Sequence, residues 1–398
     1  MAYKKKLNFN IKFFKVEKLL RDKKFHVLIQ VLLVAGIVLN LLGLVYQQRA
    51  KYFYQDYWKN FPALEKVFLS SQYVNKHPKG WIPDETAFSY ASGKLIIGTN
   101  PVLVLPDAPP LGKYIIGLST IVFNNDSVVI LVSAILSLFL LYILGLQIFS
   151  TRSFALIPPF FLSFEPIFKN QLIYTPLLDI LQLVFLLSLF YCFNKGLKTK
   201  RSLLFFFLAN LFLGFFISTK FFVSGFTIIA AWFLVLLLKK DKKRLINITL
   251  TLPISLFVLL FSYVRVFAFG YSINKFLGIQ KWVYLYHQSF LILPFSVWPL
   301  LLFDKWYVWF GNKAIITDGQ WSLTWPILSL ITIISIILYV FKKIPKNESL
   351  EVLISWVIVY MAFLSLGETF SRYFVILIPI LYIISVYGIL SIFKNYKK

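Results

Sequence analysis

Long apolar runs, separated by short basic or longer mixed intervals, give this chain its pattern. The first run, His26–Tyr46, is of spanning length. Others follow at Leu111–Phe123, Val128–Phe149, Phe154–Phe168 and Leu172–Phe193, then at Leu203–Thr219, Phe221–Leu238 and Leu245–Phe269, and finally at Leu323–Phe341, Leu350–Leu366 and Tyr373–Phe393. These runs are longer than the roughly 9 to 11 residues of a membrane barrel strand. Backbone in hydrocarbon must satisfy its own hydrogen bonds, so the pattern predicts helices and an all-α, polytopic membrane protein. Two intervals break the series. Gln47–Leu111 is a long first loop rich in Tyr, Trp and Pro, in which Tyr54–Val74 predicts an amphipathic helix along the interface. Tyr271–Trp321 is a second region holding His287, Trp298, Trp306 and Trp309, and its apolar run Phe290–Phe303 is short enough to lie in the interface.

Charge fixes the expected topology. Only 14% of the 398 residues are charged against about 25% in a soluble domain, and mean hydropathy is +0.76. The formal net charge of +25 would point to nucleic acid in a soluble protein. Here the basic residues cluster between spans, at Lys4–Lys24, Lys195–Arg201, Lys239–Arg244, Lys342–Lys346 and Lys394–Lys398. That is the pattern of cytoplasmic loops, so the partner implied is the lipid bilayer and not nucleic acid. Because Lys195 must lie inside, the four runs between Leu111 and Phe193 contribute an odd number of crossings. Phe154–Phe168, with Pro158, Pro159 and Pro166, is read as the half-depth piece. The total is about ten crossings (nine to eleven) with both termini cytoplasmic.

The N-terminus reads as cytoplasmic and not as a cleavable signal peptide, since its basic region is long and no small-residue cleavage site follows. One cysteine, Cys192, excludes an intrachain disulfide. A single transmembrane domain covers 1–398: a basic tail (1–25), a first helix (26–46), an outer loop (47–111), helices (112–270), a second outer region (271–322), and final helices with a tail (323–398).

Ionisable groups near a bilayer are costly, so each is a site candidate. They are Asp84, Glu85 and Asp107 in the first loop, Glu165 and Asp179 around the proline-rich run, Lys220 between two apolar runs, His287 in the second region, and Glu368 and Arg372 before the last run. The topology puts most of them on the outer side. Asp84 and Glu85 can supply a general base, or can cap a helix beginning after Pro83. Lys220 and Arg372 suit a phosphate, or anchor helices at the interface. Lys113, after Pro109-Pro110-Leu111-Gly112, opens a helix or snorkels. Asp179 in its apolar run needs a cation or donors, and a helix–helix ion pair would supply one. No histidine has metal-ligand spacing, and no P-loop or dinucleotide fingerprint is present, so no metal and no cofactor is expected.

In order along the chain, these motifs resemble a known family. Pro83-Asp84-Glu85 with Tyr90-Ala91, Gly98, and Asp107-Ala108-Pro109-Pro110-Leu111-Gly112-Lys113 resemble the first outer loop of the dolichyl-phosphate-mannose protein O-mannosyltransferases, of the GT-C class of polyprenyl-phosphate-sugar glycosyltransferases. Leu177-Leu178-Asp179, Leu213-Gly214, Ser218-Thr219-Lys220-Phe221, Tyr286-His287 and Ser296-Val297-Trp298-Pro299-Leu300-Leu301 continue the likeness.

The resemblance implies inverting transfer of a hexose such as mannose from a polyprenyl or dolichyl phosphate to an acceptor hydroxyl, a protein Ser or Thr, on the outer face of the membrane. It implies Asp84 as base with Glu85 beside it, Lys220, Arg372 and Lys113 at the donor phosphate, and Asp107, Asp179, His287 and Trp298 as acceptor-binding or shaping residues. Two positions depart from the family. Ala108 stands for its His before Pro-Pro, and Tyr174 for an Arg upstream of Leu-Leu-Asp. Two other readings remain open. One keeps the chemistry with a lipid or cell-envelope glycan acceptor, as in the aminoarabinose transferases that the architecture also resembles; the other is a transporter or flippase.

Overall fold

A computed structural model describes residues 23–75, 77–78, 80–220, 222–288, 293–308 and 314–395. The helices are α1 (Lys23–Gln47), α2 (Tyr57–Leu69), α3 (Asp84–Ile96), α4 (Leu111–Phe123), α5 (Val128–Leu146), α6 (Arg152–Phe164), α7 (Pro166–Ile173), α8 (Asp179–Lys198) and α9 (Ser202–Thr219). They continue as α10 (Ser224–Leu238), α11 (Lys242–Thr251), α12 (Pro253–Ser262), α13 (Ile273–Gln288), α14 (Val297–Phe303), α15 (Thr324–Val340), α16 (Glu348–Leu364) and α17 (Phe374–Asn395). Among the described residues, six helices are long and apolar enough to cross a membrane: α1, α5, α8, α9, α11 continued into α12, and the helix from Ser371 to Phe393. The chain is a multi-pass integral membrane protein. Among the described residues, the all-α expectation meets a two-residue antiparallel ladder of β1 (Trp306–Tyr307) with β2 (Ile315–Ile316) and an isolated bridge between Ser71 and Gly80.

α8 is the central helix, with 83% of its apolar window buried inside the protein. It packs against α5, α9, α16 and α17. Phe193 stacks on Trp232 of α10 at 4.7 Å between centroids, and Phe190 meets Trp356 of α16 at 5.3 Å. Lipid tails are as apolar as these side chains, so close packing and interhelical hydrogen bonds hold the bundle rather than water exclusion. The Nε1–H of Trp356 donates to Thr227 Oγ1 at 3.2 Å, and Thr332 of α15 bonds Ser385 of α17 at 3.0 Å.

Among the described residues, the basic segments at 195–201, 239–244 and 342–346 gather at one end of the bundle. His26 bonds Ser153, Lys198 donates to Gln147 O at 2.9 Å, the Asn347 amide donates to Ile148 O, and Lys239 pairs with Glu348 and Glu351. The opposite end carries the long polar interval. There Tyr52 donates to Leu172 O at 2.7 Å, and Asn125 donates to the carbonyls of Lys51 and Tyr54 at 2.7 and 2.6 Å.

These contacts correct one sequence reading. The proline-rich stretch does not stop at half depth. Ser153 lies beside His26 and Gln30, Asn40 donates to Ser163 O, and Leu172 O receives Tyr52, so α6 and α7 run alongside α1 over its whole length. Pro158 and Pro159 sit inside α6 without ending it, and Pro166 opens α7 as its first residue. In a bundle, neighbouring helices satisfy the backbone groups a proline frees.

The run that does not pass lengthwise is α4. Its start packs on Leu178 and Thr219, and just past its end Asn124 bonds Gln55 and Trp58. Both contacts belong to the polar end, so α4 lies across it, antiparallel to α3. The amphipathic segment expected at Tyr54–Val74 is α2, burying Tyr57, Phe61 and Phe68. Of Phe290–Phe303, residues 293–303 are described and hold only the short α14; Trp309 and the Lys394–Lys398 tail fall largely outside the described side chains.

Candidate active site

Helix α3 begins at Asp84 with Pro83 as N-cap in an extended conformation. The capping alternative is met in part: both acids fall in the first turn of α3, where the helix dipole favours them, but Pro83 and not Asp84 is the N-cap. The carboxylate is held from outside the helix instead. The Tyr73 hydroxyl donates to Oδ1 at 2.7 Å, and the Arg372 guanidinium pairs with Oδ2. Each side chain of the ion pair remains about a third exposed, at 32% for Asp84 and 30% for Arg372, so the pair opens to the exterior. Burial pushes the carboxyl upward, but Arg372 and the Tyr73 hydroxyl more than offset it and leave it below its ordinary value. Glu85 is raised, chiefly by burial and also by the charge of Asp84. The adjacent acids therefore differ: Asp84 is ionised at neutral pH and Glu85 holds its proton more tightly.

The second pair stands at the tops of α8 and α9. Asp179, the first residue of α8 and buried to 3%, pairs with Lys220, which caps α9. The ammonium also lies 5.5 Å from the centre of the Tyr373 ring. The ion-pair alternative for Asp179 is thus realised, and its partner is the lysine assigned to the donor phosphate. Desolvation lowers Lys220 below its usual value, the attraction of Asp179 only partly compensating. The charges of Arg372 and Asp84 reach it as well. Two carboxylates and two cations from four distant segments are thereby gathered at the polar end.

Two features hold this arrangement in register. Gly112, in the Pro-Pro-Leu-Gly-Lys turn, lets α4 approach the end of α9. A Cβ there would stand 2.7 Å from Leu178 Cδ2 and 2.9 Å from Thr219 Cγ2. Gly112→Val is expected to displace Thr219 and with it Lys220, costing roughly 10- to 100-fold in rate. Turnover measured beside the thermal midpoint checks this, with the midpoint moving far less than the rate.

The second feature is the Asn124–Ser127 turn, which sequence reasoning passed over. Asp126 accepts from Ser89 of α3 and from Ser127 at 3.0 Å, while Tyr57 donates to Ser89 O at 2.7 Å. Burial raises the Asp126 carboxyl, and hydroxyl donors are its partners. These bonds pin α3 little more than one turn after Asp84. Neither Asp126 nor Tyr73 carries a local motif. An acid inside a four-residue gap between apolar runs was the available signal for Asp126, and for Tyr73 there was none.

Lys113 departs from its expected role. Its side chain is fully buried, and its ammonium donates to Leu105 O at 2.6 Å and Ala108 O at 2.8 Å. It closes the loop before α4, its ammonium turned to those two carbonyls. Lys113→Met is expected to cost about 1–3 kcal/mol for each carbonyl left bare. Lipid-phosphate affinity should stay unchanged, which a thermal midpoint and a binding isotherm on the same sample would establish.

Asp107 is half-buried in that loop, and its charge reaches Tyr73 and Tyr286. Trp298 donates from Nε1 to Ser365 Oγ at 3.1 Å and braces the loop before Arg372. His287 is on α13, with its side chain outside the described residues. Glu165 is buried away from the pairs, accepting from Thr324 Oγ1 at 2.6 Å and from Tyr382. Among the described residues, no three His, Cys, Asp or Glu side chains converge to hold a metal ion.

Residues 107–266 match the family described as dolichyl-phosphate-mannose-protein mannosyltransferase. That stretch takes in Asp107, Lys113, Asp179 and Lys220, while Asp84 and Arg372 flank it. No curated protein matches by sequence. Among solved structures, ArnT from Cupriavidus metallidurans in the apo state aligns with TM-score 0.55 at 16% identity, over 82% of this chain and 58% of that one. The same protein bound to undecaprenyl phosphate aligns at 0.51 and 16%, over 79% and 57%. The apo oligosaccharyltransferase of Archaeoglobus fulgidus aligns at 0.53 and 14%, over 92% and 51%. The chain therefore spans about half the length of the structures it matches, and these likenesses establish fold. The chain shares its fold with ArnT and with the Archaeoglobus fulgidus oligosaccharyltransferase, and its residues 107–266 match the family described as dolichyl-phosphate-mannose-protein mannosyltransferase.

Proposed function

We propose that this protein transfers a sugar from a polyprenyl phosphate to an acceptor hydroxyl, with Asp84 as the base. One observation carries the reading: an ionised carboxylate at a helix start is gathered with Lys220 and Arg372 at one end of a membrane bundle. Lys220 and Arg372 receive the donor phosphate. Tyr73 fixes the direction of the Asp84 carboxylate, which accepts the proton of the acceptor hydroxyl as its oxygen attacks the anomeric carbon. The bond from that carbon to the phosphate oxygen breaks, its electron pair leaves with the phosphate, and the two cations stabilise the anion. One displacement inverts the anomeric centre. No cofactor beyond the lipid-linked sugar is required.

The family match over residues 107–266 supports mannose as the sugar and a protein as the acceptor, for which we propose a Ser or Thr hydroxyl. ArnT bound to undecaprenyl phosphate, of the same fold, supports the lipid class. The gathering of the basic segments around Lys198 and Lys239 at the opposite end supports a site on the outer face, and ten passes with both termini in the cytoplasm are proposed with it.

A lipid or envelope-glycan acceptor is the second reading. It is favoured because the described part of 271–322 folds as two helices and a two-residue ladder rather than as a separate acceptor-binding module. Transfer of radiolabel from polyprenyl-phosphate mannose, offered protein, lipid and glycan acceptors in parallel, decides between them. A wild-type chain that transfers to none, from any polyprenyl-phosphate sugar, would sink the enzyme reading.

A further inference from the structure

Between α2 and α3 the chain leaves at Gln72 and returns at Ile82, and two groups of the site stand beside that neck. Tyr73 follows Gln72 directly, and Asp84 lies two residues beyond Ile82. One side chain closes the neck. Gln72 donates from Nε2 to Ile82 O at 2.7 Å and accepts on Oε1 from Ile82 N at 2.9 Å. A primary amide carries a donor and an acceptor side by side, so Gln72 engages both backbone groups of Ile82 and fixes direction as well as distance. A backbone bridge joins Ser71 to Gly80 next to it. The outer part of the loop adds little packing, for Val74 is 51% and Trp81 74% exposed. Phe68 of α2 backs the Tyr73 ring, parallel to within 7° at 5.8 Å between centroids, and itself stacks on Tyr90 of α3 at 4.2 Å. The ring thus has a support on one face. What sets the reach of its hydroxyl to Asp84 Oδ1, 2.7 Å away, is the neck.

We propose that Gln72 is a positioning residue for the base: by stapling the neck it sets the Tyr73 hydroxyl against Asp84, and so holds the carboxylate in the direction from which it takes the acceptor's proton. The inference rests on the reading of Asp84 as that base. Both bonds of the staple go to backbone, whereas Lys220 and Arg372, the cations proposed for the phosphate, are paired with Asp179 and Asp84. Loss of the staple should therefore be felt in proton transfer and not in donor binding.

Gln72→Met keeps the length of the side chain and removes both bonds. The test uses the purified full chain, with undecaprenyl-phosphate mannose, glucose or N-acetylhexosamine and a protein, lipid or glycan acceptor, whichever pair the wild type uses. The variant's kcat should fall roughly 10- to 100-fold, the cost of a displaced reacting group. Its affinity for bare undecaprenyl phosphate should stay within about twofold. Tyr73→Phe should cost a similar factor, and the double variant no more than the worse single, because both act through one hydroxyl. Losses that multiply would mean that Gln72 acts on something other than Tyr73, and an unchanged kcat would mean that the neck holds without it. An equal loss of lipid affinity, or a chain that no longer folds, would mean that Gln72 only holds the loop together. Each of these results overturns the proposal. A wild-type chain that transfers from no polyprenyl-phosphate sugar would instead remove the glycosyltransferase reading, and an Asp84→Asn chain as active as the wild type would remove the base.

Discussion

Asp84→Asn should lose transfer by about 10²- to 10⁴-fold, the usual worth of a general base, while retaining the donor. The replacement is isosteric, so the amide still accepts from the Tyr73 hydroxyl now at 2.7 Å. What disappears is the charge that takes the proton. Arg372 loses its anionic partner and becomes freer for phosphate, so donor affinity should hold or rise. Single-turnover transfer and lipid-phosphate binding on one preparation separate the two effects. Equal transfer by both proteins would sink the base assignment.

The same pair gives a pH dependence of definite sign. The Asp84 carboxyl is held below its ordinary value. Its contribution to stability is therefore present above the unfolded value of about 3.9 and is lost as pH falls through the lower folded value. Activity should likewise hold through neutral pH, with its acid limb below the ordinary carboxylate range. An acid limb near pH 6 or above that survives in Glu85→Gln and Glu368→Gln would contradict this.

The second large effect belongs to the buried pair. Lys220→Met should destabilise the protein by about 3–5 kcal/mol, because Asp179, 3% exposed, would be left as an uncompensated charge. Adding Asp179→Asn should restore most of the loss, since replacing both partners of a buried pair is often near neutral. Activity should not return with it. The double variant folds but has lost the cation proposed to hold the phosphate. If stability and turnover are rescued together, Lys220 is only a structural partner of Asp179 and its role at the donor falls.

The sequence by itself determined the elements. Apolar runs of spanning length predicted helices, because in hydrocarbon each segment must satisfy its own backbone. The helix α3 opens at the acid after Pro83, and Lys220 lies between two apolar helices, both as the local pattern indicates. Parity of the basic segments also required that one run among the four between Leu111 and Phe193 should not pass lengthwise.

Only the tertiary structure decided which run that is. Prolines mark where a lone helix would break, yet α6 is sustained by its packing beside α1, and α4 lies across the polar end because both its ends have partners there. Partnership was equally out of reach. Asp84 meets Arg372 across 288 residues and Asp179 meets Lys220 across 41, distances at which residue spacing carries no register. Lys113 looks like a phosphate ligand in its motif, but its ammonium turns to the carbonyls of its own loop, which close packing has removed from water. A motif sets which charges are available; the packing of the helices sets which of them face one another and which remain free for a ligand.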